Sequence, residues 1–281
     1  MVTVAHAPPD DREEVARFMQ AVFPKAKWGF ETWQALLDGR WGEPQDSYAI
    51  TVRDDGRLVG VLGLVPANRM TSDGWAKTID MSSWYLLRDY RMQGIGHRML
   101  DLATADPAIA VTNYSSAPAA VPVLEKAGFR VLDDTRRIWR PRADAAPLKL
   151  LSDPAALTDK DRRVLADHTG LNLISFAVDT PDDPCLLVIS VKRKHDDYVT
   201  YEVMYLGNRP AFAAHARRIA DTVLPAREAV LSVDQRFVPA DIDSDASAQF
   251  KVPRHYAPGV IAPHEIDNLY SELVLLDLKM F

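Results

Sequence analysis

Apolar and polar positions along the first 140 residues change period in an order that predicts alternating helices and strands. Residues 11–23 and 30–39 carry apolar side chains at helical spacing. Residues 48–69 alternate around Asp-Asp-Gly, which predicts a β-hairpin, and residues 76–87 predict a third antiparallel strand. The pattern then predicts a helix at 96–106, a strand at 108–115, a helix at 119–128 and a strand at 129–140.

A stretch rich in Pro and Ala at 141–147 predicts a linker, and a similar order returns beyond it. The second half predicts a helix at 157–170, strands at 185–195 and 198–207, a helix at 209–224, and strands at 228–238 and 270–278. Residues 243–264 are irregular and rich in Pro and Ser, which fits a surface connection or a lid. We therefore expect an α/β (α+β) fold with two domains, 1–141 and 148–281.

Composition limits the classes of partner. A hydrophobic content of 47% and a charged content of 26% are typical of a globular protein. The net charge of −6 leaves no basic excess for nucleic acid, and no apolar run reaches the length that spans a membrane. A single cysteine, Cys185, excludes an internal disulfide, and the first residues do not resemble a signal peptide, so we expect a cytoplasmic location. The histidines lack metal-ligand spacing, and we expect no metal site.

The segment Arg91-Met92-Gln93-Gly94-Ile95-Gly96 follows a predicted strand and begins a predicted helix. It has neither the third glycine of a dinucleotide fingerprint nor the Gly-Lys-Ser/Thr of a Walker loop. Two interpretations remain open: a tight strand-to-helix turn, or an anion nest whose amides bind phosphate at the positive end of a helix.

This segment resembles motif A of the GNAT (Gcn5-related) N-acetyltransferases, Arg/Gln-x-x-Gly-x-Gly/Ala. The later Leu-Glu-Lys-Ala-Gly-Phe-Arg-Val-Leu at 124–132 resembles a second signature of that family, in which a helix ends at Gly-Phe. The resemblance covers about the first half of the chain. It implies a GNAT fold, a mixed central sheet flanked by helices, and an acetyl-CoA-dependent transferase. The second half resembles a degenerate GNAT-like domain, because Gly207-Asn208-Arg209-Pro210 lacks the Gly-x-Gly spacing.

The resemblance also implies cofactor-binding residues. Amides of residues 92–97 would hold the pyrophosphate, and Arg91 would support the turn or reach phosphate. The backbone at Leu86 and Leu87 would bind the pantetheine arm, at a point where two strands splay. Asn113 would contact cofactor or water, with a turn or cap role as the alternative. The full set is Leu86, Leu87, Arg91, Met92, Gln93, Gly94, Ile95, Gly96, His97 and Asn113.

Proton transfer needs a base for the amine and an acid for the leaving thiolate. Asp80 lies about where many family members hold a glutamate base, and a structural role is its alternative. Strand alternation predicts that residues 80, 82, 84 and 86 share one face and that Tyr85 lies on the other. The usual family acid is a tyrosine at the position of Leu124, so Tyr114, Ser115 or Ser116 are the expected substitutes, or solvent.

The expected acceptor is the primary amine of a small molecule: an amino sugar, an amine or an amino-acid derivative. An acidic balance suits such a substrate, and the aromatic helix-loop-helix with Trp28, Phe30 and Trp33 would border it. Two rival functions remain: a regulatory module that binds acyl-CoA without turnover, and a Fem-type aminoacyl transferase. We expect a monomer or a homodimer.

Overall fold

The computed structural model describes residues 1–142, 146–194, 198–225 and 228–278. These residues form two compact units. Unit 1 contains Met1–Val131, Arg254–Glu265 and Tyr270–Leu278, and unit 2 contains Leu132–Pro253 with Ile266–Leu269. The units therefore do not divide at the linker expected at 141–147, because segments from each side of it belong to the other unit. Residues 143–145 of that linker lie outside the described part of the chain.

Helices and strands alternate along the first half as the sequence pattern predicts. The elements are β1 (Val2–His6), α1 (Arg12–Val22), α2 (Phe30–Leu37), β2 (Ala49–Asp54), β3 (Arg57–Thr71), β4 (Gly74–Leu86), α3 (Ile95–Ala103), β5 (Ala110–Asn113), α4 (Val121–Lys126) and β6 (Arg130–Trp139). The β2–β3 hairpin turns at Asp55 and Gly56, both with positive φ. Strand β1 was not predicted, because its five residues alternate weakly.

The second half begins with a short strand and ends with a single helical turn. Its elements are β7 (Lys149–Leu150), α5 (Asp159–Asp167), β8 (Ile174–Asp179), β9 (Cys185–Lys194), β10 (Tyr198–Leu206), α6 (Arg209–Val223), β11 (Ala229–Asp234), β12 (Ala246–Ala257) and α7 (Glu272–Leu275). Two predictions are wrong here. The segment 243–264 contains strand β12 rather than a lid or plain connection, and 270–278 contains helix α7 rather than a strand.

The sheet of unit 1 is mixed. Strands β1 to β4 pair antiparallel in sequence order, and β4 then runs parallel to β5. The last residues of β12 pair antiparallel with β5, with His255 opposite Asn113. A strand from the end of the chain thus covers the edge of the sheet that the first half leaves open.

The sheet of unit 2 has a similar order. Strands β7, β8, β9 and β10 pair antiparallel in turn, and β10 runs parallel to β11. Strand β6 then pairs antiparallel with β11, with Trp139 opposite Leu231. Each unit therefore has a parallel strand–helix–strand crossover, β4–α3–β5 or β10–α6–β11. The strand beside it comes from the other half of the sequence, and this exchange explains why the units do not follow a single boundary.

A β-bulge in β4 decides which side chains face the site. Val61 pairs with Tyr85 but Gly63 pairs with Ser82, so β4 has one extra residue, and Ser83 there has a φ of 53°. Because opposite residues share a face, Ser82 and Tyr85 lie on one face of the sheet. The prediction that 80, 82, 84 and 86 share a face is wrong beyond Ser82, since the bulge reverses the alternation.

The other face of β4 belongs to the hydrophobic core of unit 1. Met81 from β4 packs there with Met99 and Leu100 of α3 and with Leu124 of α4. Leu124, at the position where the family usually places a tyrosine, is fully buried in this core. It therefore stabilises the unit by burying apolar surface, which contributes about 25 cal/mol per Å².

Candidate active site

The turn before α3 leaves the positive end of that helix open. Met92 and Gly94 have φ angles of 63° and 75°, and Gly94 is the N-cap residue without a side-chain cap. The first turn of α3 contains no acidic side chain, and residues 91–94 are exposed. Helix N-termini present amides without intrahelical partners and a positive dipole end. This arrangement fits the pyrophosphate of acetyl-CoA.

Gly96, in the first turn of α3, is favoured by close packing. A Cβ atom at this position would lie 3.1 Å from Cζ2 of Trp84, which packs on the core of unit 1. The missing side chain allows the start of α3 to approach β4 closely. The ring of His97, one residue later, is half-buried, and its Nε2 atom has no hydrogen-bond partner among the described residues.

Hydrogen bonds within the turn hold its shape. Arg91 Nε donates to the carbonyl of Leu86 at 2.8 Å, and its guanidinium lies 5.3 Å from the ring centre of Tyr85. Gln93 Nε2 donates to the carbonyl of Asp89 at 2.8 Å. Of the two functions expected for Arg91, these contacts favour support of the turn.

The segment expected to bind pantetheine is partly engaged within the protein. The Leu86 carbonyl accepts the Arg91 bond, and the Leu87 N–H donates to Val59 at 2.9 Å. The Leu87 N–H is thus already used within the protein, whereas the Leu86 carbonyl retains a second lone pair that can accept from the cofactor.

Strands β4 and β5 separate just beyond Asp80. Their parallel pairing covers Thr78–Asp80 and Ala110–Thr112, and β4 continues to Leu86 beyond it. Asn113 spans the start of this opening, since its Nδ2 donates to the carbonyl of Met81 at 3.4 Å. Ser116 donates to Oδ1 of Asn113. The structure thus places Asn113 and Ser116 together at the point where the strands part.

Two buried carboxylates meet beside this opening. Asp80 is 1% exposed and Glu272, on α7, is 2% exposed. Asp80 Oδ1 accepts from Thr112 Oγ1 at 2.9 Å, and Oδ2 accepts from the backbone N–H of Glu272 at 2.9 Å. Glu272 accepts from the hydroxyls of Ser82 and Ser115. Both carboxylates therefore have hydrogen-bond partners, as buried charged groups require.

Burial changes the acidity of this pair. Desolvation raises the pKa of Glu272 to about 7, and the hydrogen bonds from Ser115 and Ser82 oppose the rise. Desolvation, together with the negative charge of Glu272, raises the pKa of Asp80 well above its ordinary value. The pair therefore gains and loses a proton nearer neutral pH than exposed carboxylates do.

Glu272 was missed by the sequence analysis. It belongs to Tyr-Ser-Glu-Leu-Val-Leu-Leu, which resembles a terminal strand, and it lies 190 residues from Ser82, its hydrogen-bond partner. The available signal was an acidic residue within an apolar run, which in a folded chain is either exposed or paired.

Tyr114 is enclosed, and Tyr85 lies on a face of the sheet different from the one expected. Tyr114 is 1% exposed, with the Arg254 guanidinium 5.5 Å from its ring centre, so its ring is enclosed rather than open to a cleft. Tyr85 was expected opposite Asp80, and the bulge brings it to the same face. Its ring packs edge-on against Phe23 at 5.5 Å.

The aromatic residues expected near the acceptor form a cluster in unit 1. Trp33 is buried between Phe23 and Trp28, at centroid distances of 5.6 and 5.4 Å. Trp28 is half-buried and donates from Nε1 to the carbonyl of Leu276 at 2.9 Å. Phe30 is half-buried, and its ring is covered by the guanidinium of Arg17. Trp28 is the better placed of the three to contact a ligand, since Trp33 belongs to the core.

The corresponding turn of unit 2 is closed by its own side chains. Asn208 is the N-cap of α6, and its side chain accepts from the N–H of Ala211 at 3.0 Å. A Cβ on Gly207 would lie 2.4 Å from Oδ1 of Asp161. Cys185 donates to the Asn208 carbonyl at 3.4 Å, and burial raises the pKa of its thiol to about 12, which suits a packing role.

Two negative findings apply to the described parts of the chain. No group of three or more His, Cys, Asp or Glu side chains there could hold a metal ion. Nor does any helix in those parts have the length and apolar character needed to cross a membrane. Of the seven histidines in the sequence, which were expected to bind no metal, His195 lies outside the described residues.

Comparison with known proteins identifies the class of domain that carries this site. Residues 13–129 match the Acetyltransferase (GNAT) family. These residues are a GNAT acetyltransferase domain, and the cofactor of that family is acetyl-CoA. The predicted family, enzyme class and cofactor are thus confirmed. No curated protein matches the chain.

Solved structures with a similar fold extend the likeness beyond that domain. A GCN5-related N-acetyltransferase from Anabaena variabilis aligns with 91% of this chain and 72% of its own, at 10% identity and a TM-score of 0.55. A probable N-acyltransferase from Enterococcus faecalis aligns over the same shares, at 11% identity and a TM-score of 0.55. A GCN5-related N-acetyltransferase from Kribbella flavida covers 91% and 71%, at 12% identity and a TM-score of 0.55. The predicted mixed α/β fold class is confirmed.

Proposed function

We propose that this chain transfers the acetyl group of acetyl-CoA directly to the primary amine of a small molecule. The observation that carries the proposal is the combination, within unit 1, of an open helix start at Gly94 with carboxylates buried beside the opening between β4 and β5. An amino sugar, a simple amine or an amino-acid derivative is the acceptor class that we propose.

The residues of the turn bind the cofactor in this proposal. Amides of residues 92–97 hold the pyrophosphate at the positive end of α3, while Arg91 and Gln93 keep the turn in place. Asn113 lies where the strands part and is available to orient cofactor or water. When bound, acetyl-CoA supplies an acyl group activated as a thioester.

Amine recognition is supported by charge and by aromatic surface. The chain has a net charge of −6, and the half-buried ring of Trp28 belongs to the aromatic cluster of unit 1. Aromatic faces attract cations, at about 0.5–1 kcal/mol for exposed sites. The cytoplasmic location, a monomeric or homodimeric state and the degenerate, cofactor-free character of the second half remain part of this proposal.

Mass spectrometry of the purified protein under native conditions, followed by an amine panel, tests the proposal. We expect retained or titratable coenzyme A, and thiol release with at least one amino sugar, amine or amino-acid derivative. Each amine is paired with its hydroxyl analogue, which should release no thiol, and peptides with free N-termini test for a larger acceptor. Acetyl-CoA binding without thiol release on any amine would support the regulatory alternative. Transfer from aminoacyl-tRNA would support the Fem-type alternative.

A further inference from the structure

We propose that Glu272, on the segment 270–278 of unit 1, accepts the proton of the acceptor amine, and that Asp80 is a positioning residue that holds Glu272 in place. This proposal rests on the acetyl transfer proposed above. It assigns the base to a residue outside the region that matches the GNAT family, since that region ends at residue 129.

The carboxylate of Glu272 bridges the two strands where they separate. Ser82, which donates to Oε2, lies on β4 two residues beyond the last residue paired with β5. Ser115, which donates to Oε1, lies two residues beyond the end of β5. One oxygen of Glu272 is thus bound to each side of the opening.

Two serine hydroxyls connect Glu272 with more exposed positions. Ser82 Oγ lies 3.0 Å from Ser83 Oγ, and Ser83 is the half-buried residue of the β-bulge. Ser115 is itself half-buried. Because a hydroxyl both donates and accepts, either serine can pass a proton between the opening and the carboxylate. The strained backbone of Ser83, at a φ of 53°, is of the kind found at functional sites.

Asp80 lacks a comparable route. One of its oxygens is bound by Thr112, which is 1% exposed, and the other is bound by the backbone N–H of Glu272. The second bond fixes the first residue of α7 on β4. Asp80 therefore determines where the Glu272 side chain begins, and this is the positioning role that we assign to it.

The surroundings of Glu272 keep its carboxylate basic enough to act near neutral pH. Desolvation raises its pKa to about 7, and Asp80 is the neighbouring acid. The positive charge of Arg69 lowers the pKa of Asp80 and so opposes the rise. Other ionisable groups on neighbouring elements include Lys77 of β4, which is half-buried, Glu31 of α2, which is exposed, and Arg254 and His255 of β12, which are buried.

The ammonium form of the acceptor gives one proton through a serine hydroxyl to Glu272, which becomes a neutral carboxylic acid. The amine nitrogen then forms a bond with the acyl carbon as the carbon–sulfur bond breaks. The second proton of the nitrogen goes to the sulfur, which leaves as a thiol, and Glu272 returns its proton to solvent.

The test compares Glu272→Gln with Glu125→Gln, a matched change at an exposed residue of α4. We expect Glu272→Gln to lower kcat by roughly 10²–10⁴-fold, the usual contribution of general-base catalysis. Acetyl-CoA affinity, measured by calorimetry, should change less than about threefold. The acidic limb of the wild-type pH–kcat profile, expected near pH 7, should disappear. Glu125→Gln should match the wild type throughout.

Stability against pH gives a readout that does not need activity. A carboxyl group whose pKa is raised on folding binds more protons in the folded state, so its contribution falls as pH rises from about 4.5 to about 7. We expect the wild-type Tm to fall across this window, and we expect a smaller fall for Glu272→Gln. An equal fall in the two proteins would show that Glu272 does not gain or lose its proton in this window, and the assignment of the base to Glu272 would then fail.

Further variants keep the proposal testable if Glu272→Gln folds poorly. Glu272→Asp should retain part of the activity and an acidic limb in the pH–kcat profile. The double variant Ser82→Ala, Ser115→Ala should have a lower kcat and an unchanged cofactor affinity. A folded Glu272→Gln variant with wild-type kcat and an intact acidic limb would overturn this proposal alone. A wild type that releases no thiol on any amine would overturn the proposed function, and this proposal with it.

Discussion

Helix α3 follows β4 and helix α6 follows β10, at the same place in two similar sheets. The two helices differ in what satisfies the amides of their first turns. In unit 1 the N-cap is Gly94, which has no side chain to offer and a φ of 75°. In unit 2 the N-cap is Asn208, whose side chain accepts from Ala211, and Pro210 removes one further N–H from the first turn.

This difference shows how a strand–helix crossover can keep its packing and lose an anion site. An N-cap side chain stabilises a helix by about 1 kcal/mol, because it bonds amides that would otherwise need another acceptor. Unit 2 uses this local stabilisation, whereas unit 1 leaves the same groups available to a ligand.

The largest contrast concerns stoichiometry. We expect calorimetric titration of the full chain with acetyl-CoA to give one site per chain, since the start of α6 is capped by its own Asn208. A stoichiometry of two would show that the cap opens for a phosphate, and the comparison of the two turns would then fail.

The second prediction concerns the charge at the open turn. Gly94→Asp should weaken acetyl-CoA binding by at least ~100-fold. The new carboxylate would lie at the positive end of α3, where it would repel the negatively charged pyrophosphate and compete with it for the helix dipole. Gly94→Asn is the matched control: it has nearly the same shape, tolerates positive φ and carries no charge.

We expect the asparagine variant to bind at least ~10-fold more tightly than the aspartate variant, in direct calorimetry at low salt. Equal affinities would mean that shape, and not the anion site, decides binding at this turn. Near wild-type affinity in both variants would remove the glycine turn from the cofactor site.

The smallest effect is expected in unit 2. Asn208→Ala should lower the free energy of unfolding by about 1 kcal/mol, the usual worth of an N-cap, and should leave acetyl-CoA affinity unchanged. Asn208→Asp keeps the accepting oxygen and should retain most of the stability. Denaturant unfolding measures both, and a gain of a second acetyl-CoA site in Asn208→Ala would show that the cap alone had closed it.

Local features of the fold and site could be predicted from sequence. The turn at Asp55 and Gly56 and the helix start at Gly94 could be predicted because a positive φ suits only a few residue types, glycine above all. The periodicity of residues 11–23 and 96–106 likewise predicts α1 and α3, within a few residues at each end.

Features that depend on distant residues could not be predicted. The bulge at Ser83 changes the face of Tyr85, yet it appears only in the register between β3 and β4. The strand β12 contains Pro253 and polar residues, which favour a loop until its end pairs with β5. The run after Ser271 favours a strand by composition, but forms one helical turn because Asp80 binds its first N–H.

The late position of Glu272 also affects how the protein is made. A ribosome has synthesised all of residues 1–131 well before β12 and α7 emerge, so β5 must wait with an unpaired edge and Asp80 without its partner. Such an edge favours association with other chains, and contacts between distant residues form slowly. A nascent chain is therefore most prone to aggregate in this interval, and it acquires the base we propose only when residues 270–278 have been synthesised.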